Sequence, residues 1–128
     1  MINKLLPVAL ALFSLLGSPL ALAWYKEGGN PVFTATEINH CKSMALEAGE
    51  VMVARQANEL PTFHQDKYGP PSEATIVIRK HLSRIALAYP VAGTEEERKT
   101  DVTDFMNSTN AMCINVYIDS VPESPRPQ

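Results

Sequence analysis

Residues 34–58 read TATEINHCKSMALEAGEVMVARQAN, and this stretch decides the fold. It opens with Thr34 and Glu37, the spacing of a capping box, in which each side chain accepts a hydrogen bond from the backbone of the other residue. Apolar residues then recur every three or four positions, as on one face of a helix: Ile38, Cys41, Met44, Ala45, Ala48, Val51 and Met52. Pro61 lies beyond the last of them. The pattern predicts a first helix over residues 35–58.

Two further helices are expected downstream. Ser72 is a good N-cap for a second helix, which must end at Tyr89 because Pro90 cannot continue it. Thr94 and Glu97 repeat the capping-box spacing at the start of a third helix. The sequence therefore predicts an all-α fold, a small bundle of three main helices over about residues 35–58, 73–89 and 95–118.

The second predicted helix carries apolar residues on two faces. One face holds Ala74, Val77, Ile78, His81, Leu82, Ile85, Ala88 and Tyr89. Ile76 and Leu87 fall on the opposite face. A helix of this kind is either central in the bundle or uses its second face to bind a partner, so Ile76 and Leu87 form a candidate partner surface.

The first 23 residues have the layout of a secretory signal peptide. Lys4 gives a positive start, Leu5–Leu16 is an apolar run too short to span a bilayer comfortably, and Ala21-Leu22-Ala23 fits signal peptidase. The alternative, an uncleaved anchor, lacks a longer apolar stretch and a stop-transfer pattern. We expect cleavage after Ala23, a location in the periplasm or outside the cell, and no stable membrane insertion afterwards.

The predicted domain organisation has four parts: a signal peptide at 1–23, a flexible lead-in at 24–33, a helical domain at 34–118 and a disordered tail at 119–128. The run Gly28-Gly29-Asn30-Pro31 favours a loose lead-in. Three prolines after Asp119 favour a disordered tail.

The two cysteines of the chain are Cys41 and Cys113. An oxidising compartment and an even count favour a disulfide, because two cysteines alone cannot complete a zinc site and the Cys-x-x-Cys redox spacing does not occur. Antiparallel packing of the first and third helices would bring Cys41 and Cys113 together. In the chain-entropy model, a closed loop of about 73 residues stabilises the fold by roughly 4 kcal/mol.

The charge balance restricts the class of partner. The formal net charge is −3, and loss of Lys4 with the signal peptide makes it −4. No cluster of lysine and arginine is available for phosphate groups, so nucleic acid is not an expected partner. The expected partner is an unknown protein of the cell envelope.

Three polar residues are the candidate buried polar clamp: Arg55, His81 and Asp101. Arg55 falls inside the apolar face of the first helix, where its charge needs carbonyl groups at a helix end or a carboxylate such as Asp101 or Asp104. A structural clamp is favoured for Arg55 over a recognition residue. His81 falls in the middle of the second apolar stripe, where a core histidine is favoured over a general base, metal ligand or pH sensor.

The sequence contains no recognised motif for catalysis or metal binding. His40, His64 and Asp66 could donate to zinc, but their spacings match no metal motif. There is no Gly-x-Ser-x-Gly, no His-Glu-x-x-His and no phosphate-binding glycine loop. The sequence therefore predicts no catalytic residue, no metal site and no cofactor, which argues against an enzyme without excluding one.

A series of short motifs runs through the predicted core: Cys41, Ala54-Arg55-Gln56, Ala88-Tyr89-Pro90, Phe105 and Cys113. This pattern resembles a largely uncharacterised set of small secreted helical proteins of proteobacteria and their phages. The resemblance covers about residues 38–116 and implies a helical core closed by a disulfide, without an activity. In plan, the chain is also similar to the periplasmic acid-stress chaperones.

Size, export and the lack of catalytic motifs together favour a non-catalytic binding module of the cell envelope, such as an inhibitor, immunity or exclusion protein. Ile76 and Leu87 would supply its apolar contact surface. The first alternative is a periplasmic holdase-type stress chaperone. The second alternative is a small hydrolase or a metal-binding protein.

Overall fold

A computed structural model describes residues 23–126, and three helices dominate this part of the chain. The elements are a hairpin of β1 (Tyr25–Glu27) and β2 (Asn30–Val32), then α1 (Ala35–Ala57), a 3₁₀ helix (His64–Tyr68), α2 (Glu73–Ala86) and α3 (Glu95–Ser120). The predicted all-α bundle of three main helices is confirmed. Apart from Ala23, the predicted signal peptide lies outside the described residues.

The three helix starts follow from local hydrogen bonds. Thr34 Oγ1 accepts from Glu37 N at 3.2 Å, and Glu37 Oε2 accepts from Thr34 N at 2.9 Å. Thr94 and Glu97 form the same reciprocal pair at the start of α3. Ser72 caps α2 by accepting from a backbone N–H of its first turn. Each cap satisfies donors that a helix start would otherwise leave free.

The helix ends differ slightly from the prediction. Asn58 ends α1 in the left-handed conformation with φ 55°, one residue earlier than expected. α2 ends at Ala86 rather than at Tyr89, because the chain tightens into i→i−3 hydrogen bonds ahead of Pro90, among them Tyr89 N to Ala86 O at 3.0 Å. α3 continues to Ser120, two residues beyond the predicted end.

α1 is the central helix, since it packs against both α2 and α3. The main core cluster combines residues from all three helices: Ala48, Val51 and Met52 of α1, Leu82 and Ala86 of α2, and Phe105 of α3. α2 is therefore not central. Its second apolar face, with Ile76 and Leu87, lies at the surface of the bundle.

Cys41 and Cys113 form the predicted disulfide, with their Cα atoms 5.5 Å apart. Both cysteines are buried. The pairs Cys41–Cys113, Gly49–Met106 and Gln56–Asp101 run in opposite directions along the two helices, so α1 and α3 are antiparallel. The helices approach closely at Gly49, where a Cβ atom would lie 2.8 Å from Met106 Sδ.

The lead-in and the tail pack against each other. Residues 24–33, predicted to be flexible, contain the hairpin, and Gly28 and Gly29 form its turn with φ 57° and 83°. Trp24 precedes the hairpin and is only 5% exposed. Its indole N–H donates to Val121 O at 2.8 Å, and Ser124 N donates to Trp24 O at 2.9 Å. A buried tryptophan with a satisfied N–H thus fixes two segments that local composition indicates as loose.

Candidate docking surface

The predicted partner residues lie together on the outer side of α2. Ile76 is 40% exposed and Leu87 is 64% exposed. Ile76, Lys80, Ser83 and Leu87 follow one another at intervals of four, three and four residues, which places them on one helical stripe. The two predicted partner residues therefore belong to one surface.

A groove runs between this stripe and the chain that follows α1. Two clefts of ≈ 380 Å³ and ≈ 470 Å³ share Ser83 and Leu87 in their walls. We call this surface the α2 groove and define it by Leu60, Pro61, Phe63, Ile76, Ser83 and Leu87. Leu60 is among the most exposed apolar residues of the described chain. The groove thus presents apolar side chains from both walls to solvent.

Arg79 holds one wall of the α2 groove in place. Its guanidinium donates to both carboxylate oxygens of Glu47 on α1, at 3.0 and 2.9 Å, and to both of Asp66, at 3.0 and 2.8 Å. The guanidinium carbon also lies 3.7 Å from the centroid of the Phe63 ring. One buried side chain therefore fixes the chain around residues 63–66 to α1 and α2.

The two carboxylates beside Arg79 stabilise its charged form. Side-chain hydrogen bonds from Arg79 to Glu47 and then to Asp66 outweigh the effect of burial and raise the pKa of Arg79 above its ordinary value. Arg79 is thus a permanent cation, and together with its two carboxylate partners it forms a cluster with a formal charge of −1. The sequence prediction missed Arg79, although its spacing from Leu82 and Ala86 places it on the same helical face.

The rim of the α2 groove is positively charged. Lys80 and Arg84 line the cleft at Ile76, and Arg55 lines the cleft at Leu60. Glu59 is the acidic residue of this lining. With the cluster of Arg79, Glu47 and Asp66 at −1, these residues leave a net formal charge of +1 on this surface, on a chain whose net charge is −3. Such local asymmetry favours acidic partner surfaces.

The structure does not bring the three predicted clamp residues into one cluster. Arg55 is half-buried, and its Nε donates to Tyr89 O at 3.1 Å, beyond the end of α2. Asp101 Oδ2 accepts from Gln56 Nε2 at 3.2 Å. His81, predicted to be a core histidine, is exposed, because the face of α2 that turns towards α1 is centred on Leu82 and Ala86.

Gln56 is the clamp residue that the sequence prediction missed. It is buried, its Nε2 donates to Pro90 O at 3.1 Å and to Asp101, and its Oε1 accepts from Ala92 N at 2.8 Å. Gln56 lies four residues after Met52, in the continuation of the apolar stripe, and this position was the available signal. Its contacts join α1 to the chain between α2 and α3.

The residues considered for zinc have other surroundings. Asp66 pairs with Arg79. The rings of His64 and Tyr68 meet edge to face at 6.2 Å, and those of His40 and Tyr117 do so at 6.0 Å. Between residues 23 and 126, no group of three or more His, Cys, Asp or Glu side chains is placed to hold a metal ion.

Comparison of this chain with known protein families, with curated proteins and with solved structures found no match. Within residues 23–126, no helix is both long enough and apolar enough to cross a bilayer. The α2 groove combines exposed apolar side chains, a fixed wall and a basic rim.

Proposed function

We propose that this protein is an exported, non-catalytic binding module of the cell envelope that docks through the α2 groove. The partner is a protein that presents apolar side chains flanked by carboxylates. The observation that carries this proposal is the unpartnered apolar face of α2 with a basic rim, on an otherwise acidic chain. The disulfide and the predicted signal peptide support a location outside the cytoplasm.

The apolar part of the α2 groove supplies the affinity. Ile76 and Leu87 keep a large part of their surface in water in the isolated protein. Covering them gains about 25 cal/mol for each Å² of apolar surface. The wall opposite them is already fixed by Arg79 and Phe63, so little ordering is needed when a partner binds.

The basic rim selects the partner. Lys80 and Arg84 take part in no ion pair within 4 Å in residues 23–126. Both are therefore available to carboxylates of a partner, which would raise the association rate and set the orientation. Rim charges of this kind are screened by salt, so binding should weaken as ionic strength rises.

Crosslinking in the producing cells tests the docking surface. A photo-crosslinking amino acid at Leu87 should give one defined adduct with an envelope protein, which mass spectrometry identifies. The same amino acid at Val116 on α3, which is 55% exposed, is the control and should not give it. The same adduct from both positions, or an adduct with a second copy of this chain alone, would contradict the proposal.

The identified partner, once purified, tests the role of charge. The double substitution K80E/R84E should raise the Kd at least tenfold at low salt, because each carboxylate of the partner would then face a like charge. The matched control K26E/K99E reverses two exposed lysines that do not line the α2 groove and should leave the Kd within about twofold. Equal effects of the two double substitutions would refute recognition by the basic rim.

A holdase chaperone is the second candidate, favoured by apolar side chains that are exposed elsewhere on the bundle. Leu46 and Val53 of α1 are both more than half exposed and line clefts beside α3. A holdase should bind more of an apolar-surface dye at about pH 3 than at neutral pH, as carboxylates are protonated and packing loosens. Unchanged dye binding would remove this candidate, whereas a docking module does not require the change.

A further inference from the structure

The backbone nitrogen of Trp24 points at a buried carboxylate. Trp24 N donates to Glu37 Oε1 at 3.0 Å. Glu37 is 6% exposed, and Trp24 is equally well buried. Glu37 lies in the first turn of α1, and its other oxygen, Oε2, accepts from Thr34 N to complete the capping box. Glu37 Oε2 therefore accepts its hydrogen bond within the capping box, and Oε1 accepts one from Trp24 N.

Glu37 lacks a cationic partner among the side chains of residues 23–126, since none of their ion pairs includes it. A buried carboxylate is costly unless hydrogen bonds and an opposite charge compensate it. The positive end of the α1 dipole and two backbone N–H groups supply part of this compensation. A full positive charge at Trp24 N would supply the rest.

The predicted signal-peptidase site lies directly before Trp24. Hydrolysis of the peptide bond between Ala23 and Trp24 adds one water molecule across it. The carboxylate leaves on Ala23 with the signal peptide, and the amine on Trp24 takes up a proton. The nitrogen that donates to Glu37 as an amide in the precursor thereby becomes an ammonium group.

We propose that Glu37 is a binding site for the chain's own new N terminus, and that cleavage after Ala23 locks the mature fold through an ion pair between the Trp24 ammonium and Glu37. The ion pair would link the N-terminal segment both to the C-terminal segment and to the start of α1. Trp24 O accepts from Ser124 N, its indole donates to Val121 O, and Glu37 begins the helix that carries Cys41. Cleavage removes the hydrogen bond from Ala23 N to Ser124 Oγ, 2.9 Å long, and the new ion pair replaces it as the link that stabilises the hairpin and the C-terminal segment.

N-terminal sequencing of exported protein tests the first step, since it should return Trp24 as the first residue. Three proteins, each with the Cys41–Cys113 disulfide formed, then test the ion pair. One begins at Trp24, one begins at Ala23, and one begins at Trp24 with its amine acetylated. The acetylated protein keeps an N–H donor but loses the charge. We expect its melting temperature to be about 5 °C lower than that of the protein beginning at Trp24 with a free amine, the shift typical of losing one good interaction in a domain of this size. The melting temperature of the protein beginning at Ala23 should fall by a similar amount.

Glu37→Gln should abolish the difference between the free and acetylated proteins. Glu97→Gln removes the same capping-box position from α3, where it is exposed, and should leave the difference unchanged. A first residue other than Trp24, or an acetylation effect that persists in Glu37→Gln, would overturn the proposal.

A chemical measurement covers the case in which Glu37→Gln does not fold. In the folded parent, the Trp24 amine should react with an amine-acylating reagent at neutral pH at least tenfold more slowly than in urea. The protein beginning at Ala23 should react faster than the parent under native conditions. Equal native rates for the two proteins would show that the Trp24 amine is not held by Glu37.

Discussion

Arg79 connects three parts of the molecule through a single side chain. Its guanidinium pairs with Glu47 of α1 and Asp66 of the connecting chain, and it lies over the ring of Phe63. Because its pKa is raised, its charge contributes to stability at every pH below the ordinary arginine range and is lost only above that range.

Truncation of Arg79 should be strongly destabilising. We predict that Arg79→Ala lowers the free energy of unfolding by about 3 kcal/mol, because two carboxylates remain without their cation and Phe63 loses its contact. Urea unfolding followed by circular dichroism measures the loss. Arg84→Ala, on the exposed side of the same helix, should cost less than about 0.5 kcal/mol. Similar losses in the two variants would contradict a buried role for Arg79.

The orientation of α2 shows why residue-level prediction failed at His81 and Arg79. Apolar residues occur on two faces of this helix, so periodicity alone does not fix which face turns inwards. His81 lies 100° around the helix from Leu82 and therefore faces solvent. Arg79 shares the helical face of Leu82 and Ala86, but its burial also depends on Glu47 and Asp66, which are 32 and 13 residues away in the chain and which no local pattern connects to it.

Elements whose ends depend on neighbouring residues were predictable. Both capping boxes, at Thr34 and Thr94, and the cap at Ser72 occur where the sequence places them, because each involves residues only three positions apart. The hairpin was not predictable in this way. It is anchored through Trp24, whose partner Val121 lies 97 residues further along the chain.

Gln56 determines how α1 meets the chain between α2 and α3. We predict that Gln56→Ala lowers the free energy of unfolding by about 2 kcal/mol, because Gln56 is buried and its partners Pro90 O and Ala92 N lose their hydrogen bonds. Thermal or urea unfolding measures the loss. Gln65→Ala, an exposed glutamine of the 3₁₀ helix, is the control and should be nearly neutral.

Introducing a carboxylate at position 56 gives a second test of these contacts. Gln56→Glu should be more destabilising than Gln56→Ala at neutral pH, because the new carboxylate would face Asp101 and a carbonyl oxygen. Acidification should recover part of the loss, since protonation removes the repulsion and restores a donor. A loss that is independent of pH would show that Gln56 does not lie against Asp101.

The whole molecule is organised along α1. The disulfide and the Trp24–Glu37 contact lie near the start of this helix, whereas Gln56 and the α2 groove lie near its end. α2 has no covalent link to the other helices apart from the chain itself. The disulfide thus fixes α1 to α3 at the end of α1 that lies away from the α2 groove.

Loss of the disulfide should weaken the whole fold without altering the α2 groove. Cys41 and Cys113 are 72 residues apart, and in the chain-entropy model a loop of this length stabilises the folded state by roughly 4 kcal/mol. We predict that the double variant C41A/C113A loses about this much free energy of unfolding in urea. Partner binding by the fraction that remains folded should be unchanged, because Cys41 lies in the opposite half of α1 from the groove. A loss of unfolding free energy below about 1 kcal/mol would mean that the unfolded chain is already compact without the crosslink. A higher Kd of the folded fraction would mean that the two ends of α1 are coupled.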